Sequence, residues 1–272
     1  MTLLAQLINS VFNTVFDILN FMSESLGLFL VSAITGIVML FVFKWTSNQK
    51  KIKQAKDKIK AHILEIRLYK DSPRVIMRAF GKILRYNTAY LILAIVPLLI
   101  VFIPVVLILV QLSFRYSYRG FSSGDRFILQ AQLRPGVDIN KVSLESPESL
   151  LQETPALLIL AENQINWRLR VEKPGEWKLA LLYGGQKHKK EIIASDRLQK
   201  IASERVAAGF FKELLNPSEA PLAKDAPFEW IKIQYPNRQN HFLGLKMHWL
   251  LTFFVLSLVF AFVLKGPLKV EI

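Results

Sequence analysis

Three stretches of the chain lose every charged residue, 26–43, 89–112 and 247–264, and each is close to the length that crosses a hydrocarbon core of ~30 Å. They predict transmembrane helices over 26–43, 89–112 and 246–265. Ahead of the first, residues 3–22 set Gln6, Asn9, Ser10, Asn13, Asp17 and Asn20 at helical spacing on one stripe of an otherwise apolar helix. Segment 1–25 therefore reads as an amphipathic helix that either lies in the outer membrane–water interface or packs across the top of the bundle. Between the first two spans, Ile52, Ala55, Ile59, Ile63 and Ile66 share one helix face, with lysines over the rest. After the stop at Asp71-Ser72-Pro73, where Pro73 suits a first helical position, Val75, Ile76, Ala79, Phe80, Ile83 and Leu84 form a second apolar stripe. The two arms predict an antiparallel helical hairpin over 44–88.

From Arg126 the period changes to two. The runs RFILQAQL, KVSLE, ALLILAE, INWRLRVE, EWKLALLYG, HKKEIIA and FEWIKIQYP are short and β-rich, separated by Pro-Gly, Asn-Gln, Lys-Pro-Gly and Gly-Gly turn signals. They predict a β-sandwich within 113–245. One helix is expected to interrupt it over 196–215, with Leu198, Ile201, Val206, Phe210, Phe211 and Leu214 available for burial. The expected fold class is thus an α-helical membrane protein with three transmembrane helices plus an extracytoplasmic all-β domain carrying one helix.

Charge supplies the orientation. Segment 44–88 holds 13 Lys and Arg against 3 Asp and Glu, while residues 1–27 hold only Asp17 and Glu24. The positive-inside rule then places 44–88 in the cytosol, the N-terminus and 113–245 outside, and the tail 266–272 inside. Residues 1–27 also lack the basic start of a signal peptide. A bacterial inner (cytoplasmic) membrane is the expected location. The absence of cysteine excludes disulfides, thiolate nucleophiles and Cys-ligated zinc, so the outer domain has to hold by packing.

Candidate chemistry is sparse. His62, His188, His241 and His248 are scattered, and His241 and His248 could share a helix face only on a helix that began before residue 241. The sequence shows no phosphate-cradling loop, no dinucleotide fingerprint and no nucleophile–base pair, so neither covalent catalysis nor a cofactor nor a metal site is expected. Gly184-Gly185 ahead of Gln186-Lys187-His188-Lys189-Lys190 reads as a hairpin turn leading into a solvated strand. The basic hairpin has the sharper functional meaning. Its excess of lysine can rest on anionic headgroups or meet a partner such as the ribosome through phosphate contacts. Few aromatics accompany the charge, which argues against base stacking and sequence-specific nucleic acid binding. Pro97 and Pro104 lie seven residues apart on one face of the second span, where each removes a backbone hydrogen bond and bends the helix, for packing or to open a groove.

The order of these parts, and the stretch KIKAHILEIRLYKDSPRVIMRAFGKILRYNTAYL at 58–91 in particular, resembles the core of the YidC/Oxa membrane-insertase superfamily. The resemblance covers about 1–112 and 247–264. It implies an insertase-like or membrane-chaperone protein that handles hydrophobic clients without covalent chemistry. Ser32, Thr35, Pro97, Pro104, Thr252 and Ser257 are then the groove candidates, and Lys50, Lys51, Lys53, Lys56, Lys58 and Lys60 the cytosolic receptor surface. A positive charge within the groove, usual in bacterial members, is matched here only by Lys44 at the boundary, and the 130-residue insertion before the third span departs from the pattern. The stretch INWRLRVEKPGEWKLALLYGGQKHKKEI at 165–192 resembles immunoglobulin-like bacterial envelope domains, with Trp167 and Trp177 as core aromatics. The alternative expectation is a structural envelope component whose β domain docks a fixed partner in a membrane complex while the spans anchor it.

Overall fold

The computed structural model describes residues 3–19, 23–216, 218–242 and 244–271. They divide into two compact units: 1–27 with 109–249, and 28–108 with 250–272.

Four helices open the chain: α1 (Leu3–Leu19), α2 (Glu24–Thr46), α3 (Gln49–Leu68) and α4 (Pro73–Tyr116). The last helix, α6, is Trp249–Lys265. Among the described residues α2 and α4 are long and apolar enough to cross a membrane, and α6 is an apolar helix of 17 residues.

The helical unit contains the hairpin. Asn48 caps α3, its side-chain oxygen accepting from the Lys51 N–H at 3.1 Å, and α4 begins at Pro73, where a missing N–H costs nothing. Ile52, Ala55 and Ala79 are buried, and the arms meet where the His62 ring stacks on Tyr86, centroids 5.8 Å apart. Ile63, Phe80 and Leu84, expected inside the hairpin, are exposed. The second arm runs into the apolar stretch without a break, so α4 is one helix of 44 residues, about 66 Å long, with Pro97 and Pro104 inside it.

The second unit contains an antiparallel β domain. Its larger sheet has the order β3-β5-β1-β9-β8, with β4 also pairing β5; its smaller sheet has the order β2-β6-β7. The strands are β1 (Arg126–Leu133), β2 (Ser143–Glu145), β3 (Leu150–Gln152), β4 (Leu157–Ile159), β5 (Gln164–Val171), β6 (Gly175–Tyr183), β7 (Gln186–Ala194), β8 (Glu204–Val206) and β9 (Phe228–Ile233), followed by a small hairpin of β10 (His241–Phe242) and β11 (Leu245–Lys246). Alternation in sequence becomes alternation in burial: Phe127, Leu129, Ala131 and Leu133 of β1 join Ile165, Trp167, Leu169 and Val171 of β5 in a core that also takes Leu179 and Leu181 of β6 and Ile192 of β7. Trp167 is fully inside, whereas Trp177 packs against the core from its margin. The β6–β7 turn is the expected two-residue type, with Gly184 and Gly185 both at positive φ.

The helix expected over 196–215 is not formed as such. Residues 204–206 are β8, paired with β9, and only α5 (Phe210–Leu215) is helical. Two tertiary demands override the periodicity. The Ile201 N–H donates to the Phe114 carbonyl at 2.7 Å, and Arg205 reaches the carbonyls of Lys189 and Ala220, which a helix through Ala207-Ala208-Gly209 would prevent.

Candidate functional site

Three of the four hydroxyls expected to line a groove bond within their own helices. Ser32 donates to the Leu28 carbonyl and Thr35 to the Val31 carbonyl, both at 2.7 Å, and Ser257 donates to Phe253 at 2.5 Å. Ser32, Thr35 and Thr252 are buried. A Cβ on Gly36, one turn beyond Ser32, would lie 2.5 Å from the Ser257 carbonyl oxygen, so α2 and α6 touch backbone to backbone there. Phe29 and Phe260 pack edge to face beside them, centroids 5.3 Å apart. This is a seam of small residues of the kind that lets membrane helices approach closely. On α4, Pro97 is buried and Pro104 half-buried.

The hairpin lysines are mostly free to meet a partner. Lys50, Lys51, Lys53, Lys58 and Lys60 are exposed, with the Lys58 ammonium 4.9 Å from the centroid of the Tyr86 ring. Lys56 is committed, pairing with Glu271 at 3.3 Å. The chain's last described residues fold back onto the hairpin root: Lys44 donates to the Leu268 carbonyl at 2.7 Å, the Glu271 N–H donates to Gln49 at 2.6 Å, and Val270 is buried. Two basic groups, Lys44 and Lys56, thus hold the tail, a contact with no sequence signal because its partners lie more than 200 positions apart.

The exposed side chains of α4 form a pattern of their own. Met77, Phe80 and Leu84 in the hairpin arm are 71%, 52% and 51% exposed, and Leu91, Ile95, Leu98 and Phe102 continue the same spacing of three and four along the helix, all exposed. With Thr88 as its single polar member, one exposed, mainly apolar stripe runs along α4 from Met77 in the basic hairpin to Phe102 in the apolar stretch.

In the other unit, α1 packs through Asn9 and Phe16, while Gln6, Ser10, Asn13 and Asp17 of its polar stripe are exposed. Asn9 is buried and accepts from Gln111 and from Lys200, each at 2.9 Å; Asn13 accepts from Arg115 at 2.7 Å; and the Arg115 guanidinium lies 4.2 Å from the centroid of the Phe16 ring. Phe16 also packs on Tyr116, and Leu7, Val11 and Ile18 face outward. Burial and the neighbouring Arg115 charge push the Lys200 amine down to about 8. Arg115, buried at the end of α4, escaped sequence reasoning because only its position after the charge-free run distinguishes it.

Among the described residues no cluster of three or more His, Cys, Asp or Glu could hold a metal ion. His62 bonds Glu65 at 2.6 Å; His188 is buried edge-on to Phe228; His241 lies in β10 and His248 precedes α6, so these two do not share a helix. Within the β domain the buried Lys190 ammonium meets Glu219 at 2.5 Å and the Ala202 carbonyl at 2.7 Å.

No family model matches this chain, and no curated protein matches it.

Proposed function

We propose that this chain is a membrane chaperone of insertase type, which receives apolar segments of other proteins on its basic hairpin and passes them along α4 into the bilayer without covalent chemistry. In this reading α6 is a third span, about 26 Å long by its 17 residues and completed by flanking residues. The N-terminus and the immunoglobulin-like β domain lie outside and the hairpin in the cytosol, in keeping with the charge asymmetry around the apolar stretches.

The observation that carries the reading is the continuous stripe from Met77 to Phe102. Apolar side chains facing lipid stabilise the membrane part of α4, but Met77, Phe80 and Leu84 lie in the lysine- and arginine-rich arm, where exposure to water gains nothing for the fold. A client segment would cover them, and the flanking Lys50, Lys51, Lys53, Lys58 and Lys60 would hold a ribosome or anionic headgroups by long-range attraction.

The test is site-specific photo-crosslinking from positions 80 and 91 to ribosome-bound chains that carry one apolar segment. Crosslinks should appear at 80 with short nascent chains and move to 91 as the chain lengthens. Absence of nascent-chain adducts at both positions would overturn the proposal.

The contact of Gly36 with Ser257 favours a second reading. Because α2 and α6 meet in a dry seam, these spans could serve only as the anchor of a fixed envelope complex. A single stoichiometric crosslinked protein, the same at every nascent-chain length, would decide for this one.

A further inference from the structure

The larger sheet of the β domain gathers arginines on the face turned away from its core. Phe127 and Leu129 of β1 point inward, so Arg126, Ile128 and Gln130 point outward, and on β5 the outward positions include Arg168 and Arg170. The register sets Arg126 directly opposite Arg170 and Ile128 opposite Arg168. Like charges facing each other across a ladder destabilise a sheet, so this trio calls for anions.

Glu153, which follows β3, supplies one. Its Oε1 accepts from the Arg126 Nε at 2.9 Å and lies 3.7 Å from Arg170, while its Oε2 lies 3.2 Å from the Arg168 Nε. Arg170 has a second carboxylate, Glu172, at 2.8 Å. Among the described residues three guanidiniums thus share two carboxylates, and the shortfall falls on Arg126 and Arg168. Both meet Glu153 through Nε, and their terminal nitrogens make no hydrogen bond to any described residue. These side chains are 57% and 54% exposed, which leaves the unused donors within reach of a ligand.

Arg126 and Arg168 line a surface cleft of about 390 Å³ together with Ile128 and Gln234. The terminal nitrogens of a guanidinium form a planar fork that grips a carboxylate or phosphate at two points. The cleft itself favours a carboxylate on a polypeptide. Glu153 already shows that these arginines gather around a carboxylate, and Ile128, 39% exposed, adds an apolar contact beside the Gln234 amide, which suits the residues flanking an acidic side chain.

We propose that the cleft between Arg126 and Arg168 binds an Asp or Glu side chain from an acidic segment of another polypeptide, with Ile128 and Gln234 receiving its neighbours. This goes beyond the client-handling proposal and stands whether or not that one holds.

Because the basic hairpin also attracts acidic peptides, the test needs a reporter at the cleft. Gln130→Cys, on the same face of β1 as Ile128, carries an environment-sensitive fluorophore in a chain that has no other cysteine. The labelled full chain, in phosphatidylcholine nanodiscs, is titrated with an oligo-glutamate peptide, and oligo-glutamine is the blank. A saturable shift above the blank is expected. Arg126→Gln with Arg168→Gln should weaken it about tenfold or more, by removing both charged forks. Ile128→Glu should abolish it with both arginines kept, because the new carboxylate occupies them from within. Each variant is checked for an unchanged thermal transition, and if one unfolds the other decides. No saturable shift, or a shift that a folded variant retains, overturns the proposal. In phosphatidylglycerol nanodiscs the fluorophore should stay unmoved until peptide is added. A lipid-induced shift that the double glutamine variant lacks would give the cleft to lipid phosphate and overturn the proposal as well.

Discussion

The carbonyl oxygen of Ser257 occupies the place where a Cβ on Gly36 would come within 2.5 Å, so the contact of α2 with α6 exists only because residue 36 has no side chain. Neighbouring Ser32 is fully buried with its hydroxyl turned back to Leu28, which makes the seam small in shape and dry in chemistry.

Gly36→Leu should therefore force α2 and α6 apart. Overpacking costs about 1–3 kcal/mol in a well-packed site, and here the obstacle is backbone, which yields less than a side chain. The thermal transition of the detergent-solubilised chain should fall, and Gly81→Leu, where a Cβ meets nothing within 4 Å, should leave it unmoved. Equal behaviour of the two variants would refute the tight seam.

What the sequence made legible, and what it hid, divides along the distance over which each feature is determined. The apolar stretches of the long helices α2 and α4 and the Gly184-Gly185 turn are local, so charge-free runs and turn chemistry revealed them. The same local logic failed over 196–215. An amphipathic pattern was present, yet the pairing of β8 with β9 and the bond from Ile201 to Phe114 decided the backbone. The partners of Asn9 and Asn13 were invisible for a related reason. Gln111 and Arg115 lie 102 positions away, and a polar stripe on a helix does not say whether water or protein faces it. Lys190 sits in a run that reads as solvated, and only the fold brings Glu219 to it.

That buried pair makes a sharp prediction. Lys190 is fully buried, and removing one partner of a buried ion pair typically costs about 3–5 kcal/mol, because the other charge is stranded. Glu219→Gln should lower the stability of the β domain strongly, since it also weakens the acceptor of the Glu191 N–H. Lys190→Met combined with Glu219→Gln should recover much of the loss, as no buried charge remains. Chemical denaturation followed by tryptophan fluorescence reads both; a double variant no better than Glu219→Gln alone would show that the pair's charge is not the issue.

The topology is tested most directly by reporter cysteines, because the chain has none of its own. A cysteine at Lys187, in the exposed β7 end, should react in intact cells with a membrane-impermeant maleimide. One at Gln54, exposed on α3, should react only after permeabilisation. The reverse pattern would place the β domain in the cytosol and remove the hairpin from any encounter with ribosomes.

Lys200 sets a pH dependence whose sign follows from its surroundings. Its amine drops from an ordinary 10.5 to about 8 in the folded chain, because burial and the Arg115 charge both oppose the ammonium form. Below about pH 8 the lysine is protonated whether folded or unfolded, and the folded state bears the full penalty of holding that charge. Between about 8 and 10.5 the folded state has released the proton while the unfolded state still binds it, so stability rises with pH across this window and levels off above it. Lys200→Met removes the titrating group while keeping an unbranched apolar stem beside Asn9. The variant should accordingly melt above the parent at pH 7, with the gap shrinking steadily by pH 10. Melting temperatures of the two proteins, taken side by side in one buffer series, provide the measurement. A gap that stays constant from pH 7 to 10 would mean that Lys200 titrates in its ordinary range, with its amine in water rather than packed between α1 and Arg115.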